Sequence, residues 1–187
     1  ALTKAYEPVE KYTEEAVFFL EQVTGHVIPD VREYLANGAL KIREELMARQ
    51  AKTEDTKKKE YYEAMCCTVD ALLVLAERYR KLALWKADNS KGKTKARFEL
   101  MADTLARVPA KGASNLYEAI QSFLLIWQTM CLEQTPNPFA FSVGNADRIF
   151  ETYRDMEDTK RDMTAALFKH LLVFFNVAER SWAISQN

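Results

Sequence analysis

One long apolar run, from Asn115 to about Thr135, dominates the pattern of hydrophobic and polar positions along the chain. Ser114 or Asn115 can cap a helix there, and Glu118 lies in its first turn, where a carboxylate favours the helix dipole. The apolar positions recur at helical spacing and cover most of the circumference, which predicts a helix buried on several sides. They are Ile120, Phe123, Leu124, Leu125, Ile126, Trp127, Met130 and Cys131. Pro136 and Pro138 cannot continue a helix, so we expect it to end near Thr135.

The same periodicity predicts a mainly α fold with at most one or two short strands. A short buried strand or extended loop is expected at 139–144, because this segment is too short and too β-prone for a helix. The run 16–20 could continue the first helix or form a strand. Helices are predicted from about Glu7, from Pro29 onward with Gly38 inside, from Thr53 or Thr56 to about Trp85, and over 95–107, 146–155 and 163–182.

Two features of these predicted helices depend on packing. Gly38 costs about 1 kcal/mol in a helix relative to Ala, so it is expected to mark a close contact. The long helix ending near Trp85 should bury one stripe of side chains, with a loop following at 88–94. The predicted stripe consists of Met65, Val69, Leu72, Leu73, Ala76, Tyr79 and Leu82.

Composition narrows the class of protein without naming one. The 187 residues suffice for a sizeable core, and a net charge of −1 gives no reason to expect nucleic acid or an anionic membrane as partner. No apolar run reaches the roughly 20 residues that a membrane span needs. The 3 cysteines do not form a disulfide framework, which favours the reducing cytoplasm.

Several short motifs then follow one another in a characteristic order. They are Gly25-His26 with Pro29-Asp30, Leu35-x-x-Gly38, Tyr62-x-Ala64-Met65, Arg78-Tyr79, Arg97-x-Glu99-Leu100, Val108-Pro109, the EAIQSF run at 118–123, Glu133, Ser142-x-Gly144-x-x-Asp147 and Tyr153. Each motif alone is weakly specific, but their order and spacing resemble the glycyl radical enzymes, the family of pyruvate formate-lyase and the polyol dehydratases. The resemblance covers nearly the whole chain.

The resemblance implies that residues 1–187 form one interior segment of a pyruvate formate-lyase-like domain, a helical part of its α/β barrel. Family members are anaerobic lyases, dehydratases or formate acyltransferases. In them a cysteine thiyl radical abstracts hydrogen from the substrate, and a glycine near the C-terminus stores the radical. Both lie downstream of the matching region, so this segment is expected to hold no catalytic residue, no bound cofactor and no glycyl radical. The implied partners are a small-molecule substrate, the remainder of the barrel, a radical SAM activating enzyme and a second copy in a homodimer.

The resemblance also implies candidate substrate-binding residues, namely His26, Phe139, Ala140 and Ser142. His26 occupies the position of a histidine that hydrogen-bonds a substrate hydroxyl in the polyol dehydratases, although a lone histidine before a helix can equally be a cap. Phe139 and Ala140 stand where those dehydratases carry His-Ser, so an apolar pair replaces two hydrogen-bonding groups. We therefore expect a less hydroxylated substrate.

Further departures from the family pattern leave open a divergent or inactive member. Pro138 replaces a Gly, Asn145 an Arg, and Arg148 a Gln.

Other chemistry is not favoured by the remaining residues. Cys66 and Cys67 fall mid-helix, where adjacent side chains point about 100° apart and cannot act on one centre, so buried packing is expected for both and for Cys131. Neither His26 nor His170 has a Glu three residues before it, as a di-iron helix bundle requires, and no metal site is expected. The competing hypothesis to an enzyme segment is a stand-alone helical interaction module. A longer coding frame with downstream Cys-x-Glu and R-V-x-G motifs would distinguish the two.

Overall fold

The computed structural model of the chain describes residues 28–133, 143–154, 166, 167 and 169. Within these residues no strand is present, in agreement with the mainly α prediction, whereas most of the segment 139–144 lies outside them. The predicted helices at the two ends of the chain also lie largely outside. The described helices are α1 (Arg32–Asn37), α2 (Ala39–Lys52), α3 (Thr56–Asp88), α4 (Gly92–Leu105), α5 (Leu116–Glu133) and α6 (Ala146–Arg154).

Helix α5 lies at the centre of the described core and contacts α1, α3, α4 and α6. Phe123 is fully buried and Trp127 is 6% exposed, while Leu124 is partly buried. Buried side chains lie on several sides of this helix, which confirms the prediction made from its apolar pattern. They are Leu116, Ala119, Ile120, Ser122, Phe123, Leu125, Ile126 and Trp127.

Gly38 interrupts the helix that was predicted to pass through it. Its φ of 80° lies in the left-handed region, so one predicted helix becomes α1 and α2. The expected close contact is confirmed, because a Cβ at Gly38 would lie 2.6 Å from the carbonyl oxygen of Ala110. The amides of Ala39 and Leu40 donate to the carbonyls of Pro109 (2.8 Å) and Ala110 (3.0 Å). The break thus lets the loop before α5 satisfy amides that a helix start leaves unpaired.

The same loop approaches the end of α1 from the other direction. A Cβ at Gly112 would lie 2.8 Å from the carbonyl carbon of Ala36, and the amide of Ala113 donates to the carbonyl of Leu35 at 2.8 Å. Leu35 is itself fully buried. Backbone therefore packs directly on backbone here, and side chains larger than hydrogen do not fit at either glycine.

Helix α3 begins at a different cap from the one expected. The carboxylate of Asp55 accepts hydrogen bonds from the amides of Lys57 (2.9 Å) and Lys58 (3.2 Å). Thr53 instead accepts from the amide of Asp55, and Thr56 is the first helical residue. Asp is as good a cap as Thr, and only the turn geometry selects between neighbouring candidates.

The buried stripe of α3 differs from the predicted one at two positions. Met65 is 36% and Leu82 is 45% exposed, whereas their neighbours Cys66 and Ala83 are buried, as is Ala87. The buried positions still advance by three or four residues, so the period was right and the orientation wrong near both ends. Helix α3 also continues beyond its predicted end at Trp85, to Asp88.

The connection between α3 and α4 is shorter than expected. The predicted loop at 88–94 is reduced to residues 89–91, because α3 extends to Asp88 and α4 begins at Gly92 rather than at Lys95. The amide of Asn89 and its side-chain Nδ2 both donate to the carbonyl of Trp85, which closes the end of α3. The two helices form the most extensive helix pair of the described residues.

Candidate functional site

The candidate substrate-binding residues lie outside the described part of the chain. This applies to His26, Phe139, Ala140 and Ser142, so their positions stay predictions. The structure does describe the residues that follow them directly, beginning with Ile28 on one segment and Val143 on the other.

The two segments that carry these candidates meet at Ile28 and Gly144. A Cβ at Gly144 would lie 2.6 Å from Cγ2 of Ile28, closer than non-bonded carbon atoms approach. A Cβ at Gly144 would therefore force the Ile28 side chain to move, and the φ of 72° at Gly144 independently favours glycine. Ile28 and Gly144 are over a hundred positions apart in the sequence, so tertiary packing alone brings them together.

The N-terminus of α5 is fixed by a network of hydrogen bonds around Glu118. The amide of Glu118 donates to Oδ1 of Asn115 at 2.9 Å, so Asn115 caps the helix as one of the two predicted candidates. Oε2 of Glu118 in turn accepts from both the amide and the hydroxyl of Ser114, each at 2.8 Å. The Arg107 guanidinium adds a charged contact at 3.0 Å. This reciprocal arrangement resembles a capping box.

Helix α6, which follows Gly144, is held against α5 by aromatic packing. Phe150 is fully buried, and its ring meets that of Phe123 edge to face, with centroids 5.7 Å apart and an interplanar angle of 88°. Such an edge-to-face pair contributes about 0.5–1.5 kcal/mol beyond its buried area. Tyr153, one turn further on, is 6% exposed. The helix starts at Ala146 as predicted.

The turn that leads from Ile28 into α1 is fixed by an ion pair. Oδ1 and Oδ2 of Asp30 accept from Nε (2.8 Å) and Nη2 (2.7 Å) of Arg32, and Oδ1 also accepts from the Arg32 amide. The Arg32 side-chain hydrogen bonds lower the pKa of Asp30 to about 2. Both side chains are solvent-exposed, so the pair orders the turn more than it stabilises the fold.

Three tyrosines around the core have perturbed acidity. Burial raises the pKa of Tyr34 and of Tyr153 above the ordinary tyrosine value. Burial also raises the pKa of Tyr117, against an opposing effect of the Arg97 charge. The raised pKa values shift the ionisation of these phenols further toward alkaline pH. The oxygen of Tyr79 accepts from Nε2 of Gln128 at 2.8 Å and links α3 to α5.

A shallow groove of about 280 Å³ runs along one face of α6. It is lined by Ala146, Asp147, Phe150, Glu151 and Arg154, and Arg154 pairs with Glu151 across one turn. The lining is mostly apolar and comes from a single helix. The first groove residue, Ala146, lies two positions after Gly144. Asp147, which also lines the groove, is the last residue of the motif Ser142-x-Gly144-x-x-Asp147.

The burial of the cysteines agrees only in part with the prediction from the sequence. Cys66 is buried, as expected, but Cys67 is exposed, so the prediction of buried packing for both was wrong. Adjacent positions on a helix point about 100° apart, and a helix with one buried face cannot cover both. The side chain of Cys131 lies outside the described residues.

In the part of the chain that the structure describes, no group of three or more His, Cys, Asp and Glu side chains could hold a metal ion. No described helix is both long enough and apolar enough to cross a membrane.

The described residues form a helical scaffold with α5 at its centre. Residues 3–184 match the pyruvate formate lyase-like family. The chain therefore belongs to this family of glycyl radical enzymes, as the sequence motifs predicted.

Individual relatives agree with this assignment. The chain is 29% identical over 152 residues to isethionate sulfite-lyase of Oleidesulfovibrio alaskensis, covering 75% of this chain and 18% of that enzyme. It is similar to the glycerol-bound glycerol dehydratase of Clostridium butyricum, with 25% identity and a TM-score of 0.74 over 81% of this chain and 20% of the dehydratase. It is also similar to the hydroxyproline dehydratase of Clostridioides difficile, with 26% identity, a TM-score of 0.73 and coverage of 81% and 20%.

These likenesses confirm the fold class of a helical segment from a glycyl radical enzyme barrel. The chain spans about a fifth of the length of the relatives that it matches.

Sequence reasoning missed Ile28 as a member of the candidate site. A signal was present, because Ile28 lies inside the motif between His26 and Pro29, and Gly144 lies inside the motif that contains Ser142. What the sequence lacked was any indication that the position between two motif residues contacts the other motif. Asn145 and Arg148, which depart from the family pattern, are exposed at the start of α6.

Proposed function

We propose that this chain contributes scaffold and part of the substrate pocket to a glycyl radical lyase or dehydratase that acts on a small molecule less hydroxylated than glycerol. His26 supplies a polar contact to the substrate, Ser142 a second one, and Phe139 with Ala140 an apolar wall. The hydrogen-abstracting cysteine and the radical-bearing glycine belong to other parts of the enzyme.

The observation that carries the proposal is the contact between Ile28 and Gly144. Chain geometry allows at most about 7 Å between the Cα atoms of residues two positions apart. His26 is two positions before Ile28, and Ser142 is two positions before Gly144. The two motif segments therefore cannot diverge far from the contact, which supports their convergence on one cavity.

The apolar wall determines the class of substrate. A pocket that hydrogen-bonds a hydroxyl rejects molecules that lack it, and an apolar wall penalises a hydroxyl that must be buried against it without a partner. Phe139 and Ala140 can offer such a hydroxyl no side-chain partner. Glycerol, which the Clostridium butyricum enzyme holds, is therefore expected to bind poorly, whereas a molecule that presents carbon at this wall is expected to bind well.

Binding to the full-length protein tests the proposal without activating the radical. Isothermal titration calorimetry compares glycerol with 1,2-propanediol, which lacks one hydroxyl. The double variant Phe139→His with Ala140→Ser supplies two hydrogen-bonding groups. It is expected to improve glycerol binding relative to 1,2-propanediol by about 1–3 kcal/mol, which is roughly 5- to 150-fold.

The matched control is Phe98→His on α4, which introduces the same side chain away from the candidate segments and leaves the ratio unchanged. Phe98 is partly buried beneath the ammonium group of Lys86. An unchanged ratio in the folded double variant contradicts the proposal. Wild-type protein that binds glycerol as tightly as 1,2-propanediol contradicts it as well.

A further inference from the structure

Helix α3 carries a second apolar stripe, on the side opposite the one that packs into the core. Trp85 is 62% exposed and follows the buried Ala76 by nine positions, which is about two and a half helical turns. Val74 is also exposed and precedes Ala76 by two positions. Both therefore lie on the outer face of α3. The apolar members of this outer stripe are Ala64, Cys67, Ala71, Val74, Leu82 and Trp85, all of them exposed, and Arg78 occupies the one polar position.

The spacing of the outer stripe distinguishes it from scattered surface residues. Single exposed hydrophobic residues are common on proteins and by themselves indicate nothing. Here successive members are three or four positions apart from residue 64 to residue 85, with a mean spacing of 3.5 residues. This is the repeat of a seam between two packed helices, because a stripe with this period stays on the side that faces the partner helix. The outer face of α3 therefore has the pattern of a helix-packing surface, although no described helix covers it.

Side-chain size changes along the outer stripe in a way that suits a second copy of the same helix. The first half of the stripe carries the small side chains Ala64, Cys67 and Ala71, and the second half carries the large side chains Arg78, Leu82 and Trp85. In an antiparallel pair centred near Val74, small side chains of one copy face large side chains of the other, which allows close packing. A parallel pair would place Trp85 against Trp85 and Ala64 against Ala64, so that one end is crowded and the other is left unpacked.

The charges on the same face select the same arrangement. Arg78 is exposed and pairs with no carboxylate of the described residues. Asp70 is about half exposed, and its two oxygens accept from Nε (2.7 Å) and Nη2 (3.1 Å) of Arg43. A carboxylate has about four acceptor positions, so Asp70 can receive a second guanidinium. Antiparallel pairing brings Arg78 of each copy near Asp70 of the other, whereas parallel pairing brings two Arg78 side chains together.

We infer that the outer stripe of α3 is a self-association surface, on which two copies of this chain pack antiparallel about a two-fold axis near Val74. The stripe is about 32 Å long and one helix wide. This is smaller than the roughly 800 Å² per partner of a standard stable interface, so the association is weak, with a dissociation constant expected between about 1 μM and 1 mM. None of the candidate substrate-binding residues takes part, so the inference stands or falls independently of the proposed function.

Cysteine cross-linking of the full-length protein measures the orientation, because Cys67 is exposed on the outer stripe. Antiparallel pairing places Cys67 of one copy beside residues 82–85 of the other and about 22 Å along the axis from the second Cys67. A disulfide needs Cα atoms within about 7 Å. Oxidation of Leu82→Cys or of Trp85→Cys should therefore yield a dimer in which peptide mapping finds Cys67 joined to the new cysteine, and the wild type should yield no dimer through Cys67. Leu100→Cys on α4 is the matched control, since Leu100 is also exposed, and it should yield no such dimer.

A charge exchange at Val74 tests the two-fold axis. A residue beside the axis meets its own counterpart, so Val74→Glu and Val74→Lys each bring two like charges together. Each is expected to raise the dissociation constant in sedimentation equilibrium by about tenfold or more. An equimolar mixture of the two variants pairs opposite charges and should associate as the wild type does. Leu100→Glu and Leu100→Lys on α4 should leave the dissociation constant unchanged.

Four results would overturn the inference. The first is wild-type protein that stays monomeric up to about 1 mM. The second is a disulfide between two Cys67 side chains, which requires parallel pairing, and the third is a mixture of the Val74 variants that associates no better than its components. The fourth is a Cys67 thiol that resists alkylation in dilute, monomeric full-length protein, because another part of the polypeptide then covers the stripe. Circular dichroism verifies that each variant keeps its helices, and the wild-type measurements decide the question without any variant.

Discussion

The contact between Ile28 and Gly144 predicts a specific response to adding one methyl group to the backbone. Gly144→Ala introduces a Cβ that would lie 2.6 Å from Cγ2 of Ile28. The variant also places an L-residue at a φ of 72°. Two separate penalties are therefore combined in one substitution, and the structure allows each to be assigned a magnitude.

The backbone penalty is about 1–2 kcal/mol, since this is what the left-handed region costs a residue with a Cβ. The steric penalty is smaller, because Ile28 is 62% exposed and can rotate away from the new methyl group. Moving a side chain well off its preferred rotamer costs about 0.5–1.5 kcal/mol. We expect Gly144→Ala to lower the free energy of unfolding by about 1.5–3.5 kcal/mol in total.

A double-mutant cycle separates the two penalties. Ile28→Ala removes Cγ2, so Gly144→Ala in that background should lose only the backbone penalty, with a coupling of about 0.5–1.5 kcal/mol. Gly92→Ala is the matched control. Gly92 also has a positive φ, of 56°, but a Cβ there would meet no atom within 4 Å. It should show a backbone penalty alone and no coupling to Ile28.

The free energies come from equilibrium urea denaturation of the chain followed by circular dichroism, with the slope compared among variants to verify that the same transition is observed. Coupling between Ile28 and Gly144 that is no larger than the coupling between Ile28 and Gly92 would refute the contact. The same result would refute the inference that the His26 segment and the Ser142 segment lie close together.

Two further predictions concern buried polar groups. Ser122 is 1% exposed and its Oγ has no hydrogen-bond partner in the described structure, so Ser122→Ala should raise the free energy of unfolding by about 1 kcal/mol in urea denaturation. Thr104→Val is its control and should lower that free energy by a similar amount, because the Thr104 hydroxyl donates to the carbonyl of Leu100 at 2.8 Å; destabilisation by both would contradict the reasoning. Burial raises the pKa of Tyr34 and of Tyr153, so phenolate absorbance in the folded chain should appear above the ordinary value of about 10. Their contribution to stability is complete below that value and is lost as the pH rises through the folded pKa, and titration at the value of unfolded tyrosine would contradict this.

Among the described residues, the sequence by itself determined that helices dominate and which helix forms the centre. The period of apolar residues in α5 is a local property, since side chains three and four positions apart share one helix face whatever the rest of the chain does. The cap at Asn115 and the start of α6 after Gly144 are local in the same sense, because they depend on hydrogen bonds and backbone preferences within a few residues. The ordered motifs identified the family for a related reason, as they preserve many such local environments at once.

Tertiary structure decided the features that depend on contacts between segments distant in the sequence. Gly38 could remain inside a helix on its own, but the loop at Ala110 needs the room and the hydrogen bonds that the break provides. The orientation of α3 near Cys66 and Ala83 follows from the helices packed on it, and no period within α3 distinguishes it from the predicted one.

The candidate site depends most on tertiary structure. Side-chain chemistry in the sequence suggested His26 and Phe139, but the contact that supports their proximity is between Ile28 and the bare Cα of Gly144. A contact between residues over a hundred positions apart leaves no periodic trace in either segment. It arises only when α5 and α6 have packed and the turn before α1 has been fixed, because only then do two short stretches of backbone occupy the same place.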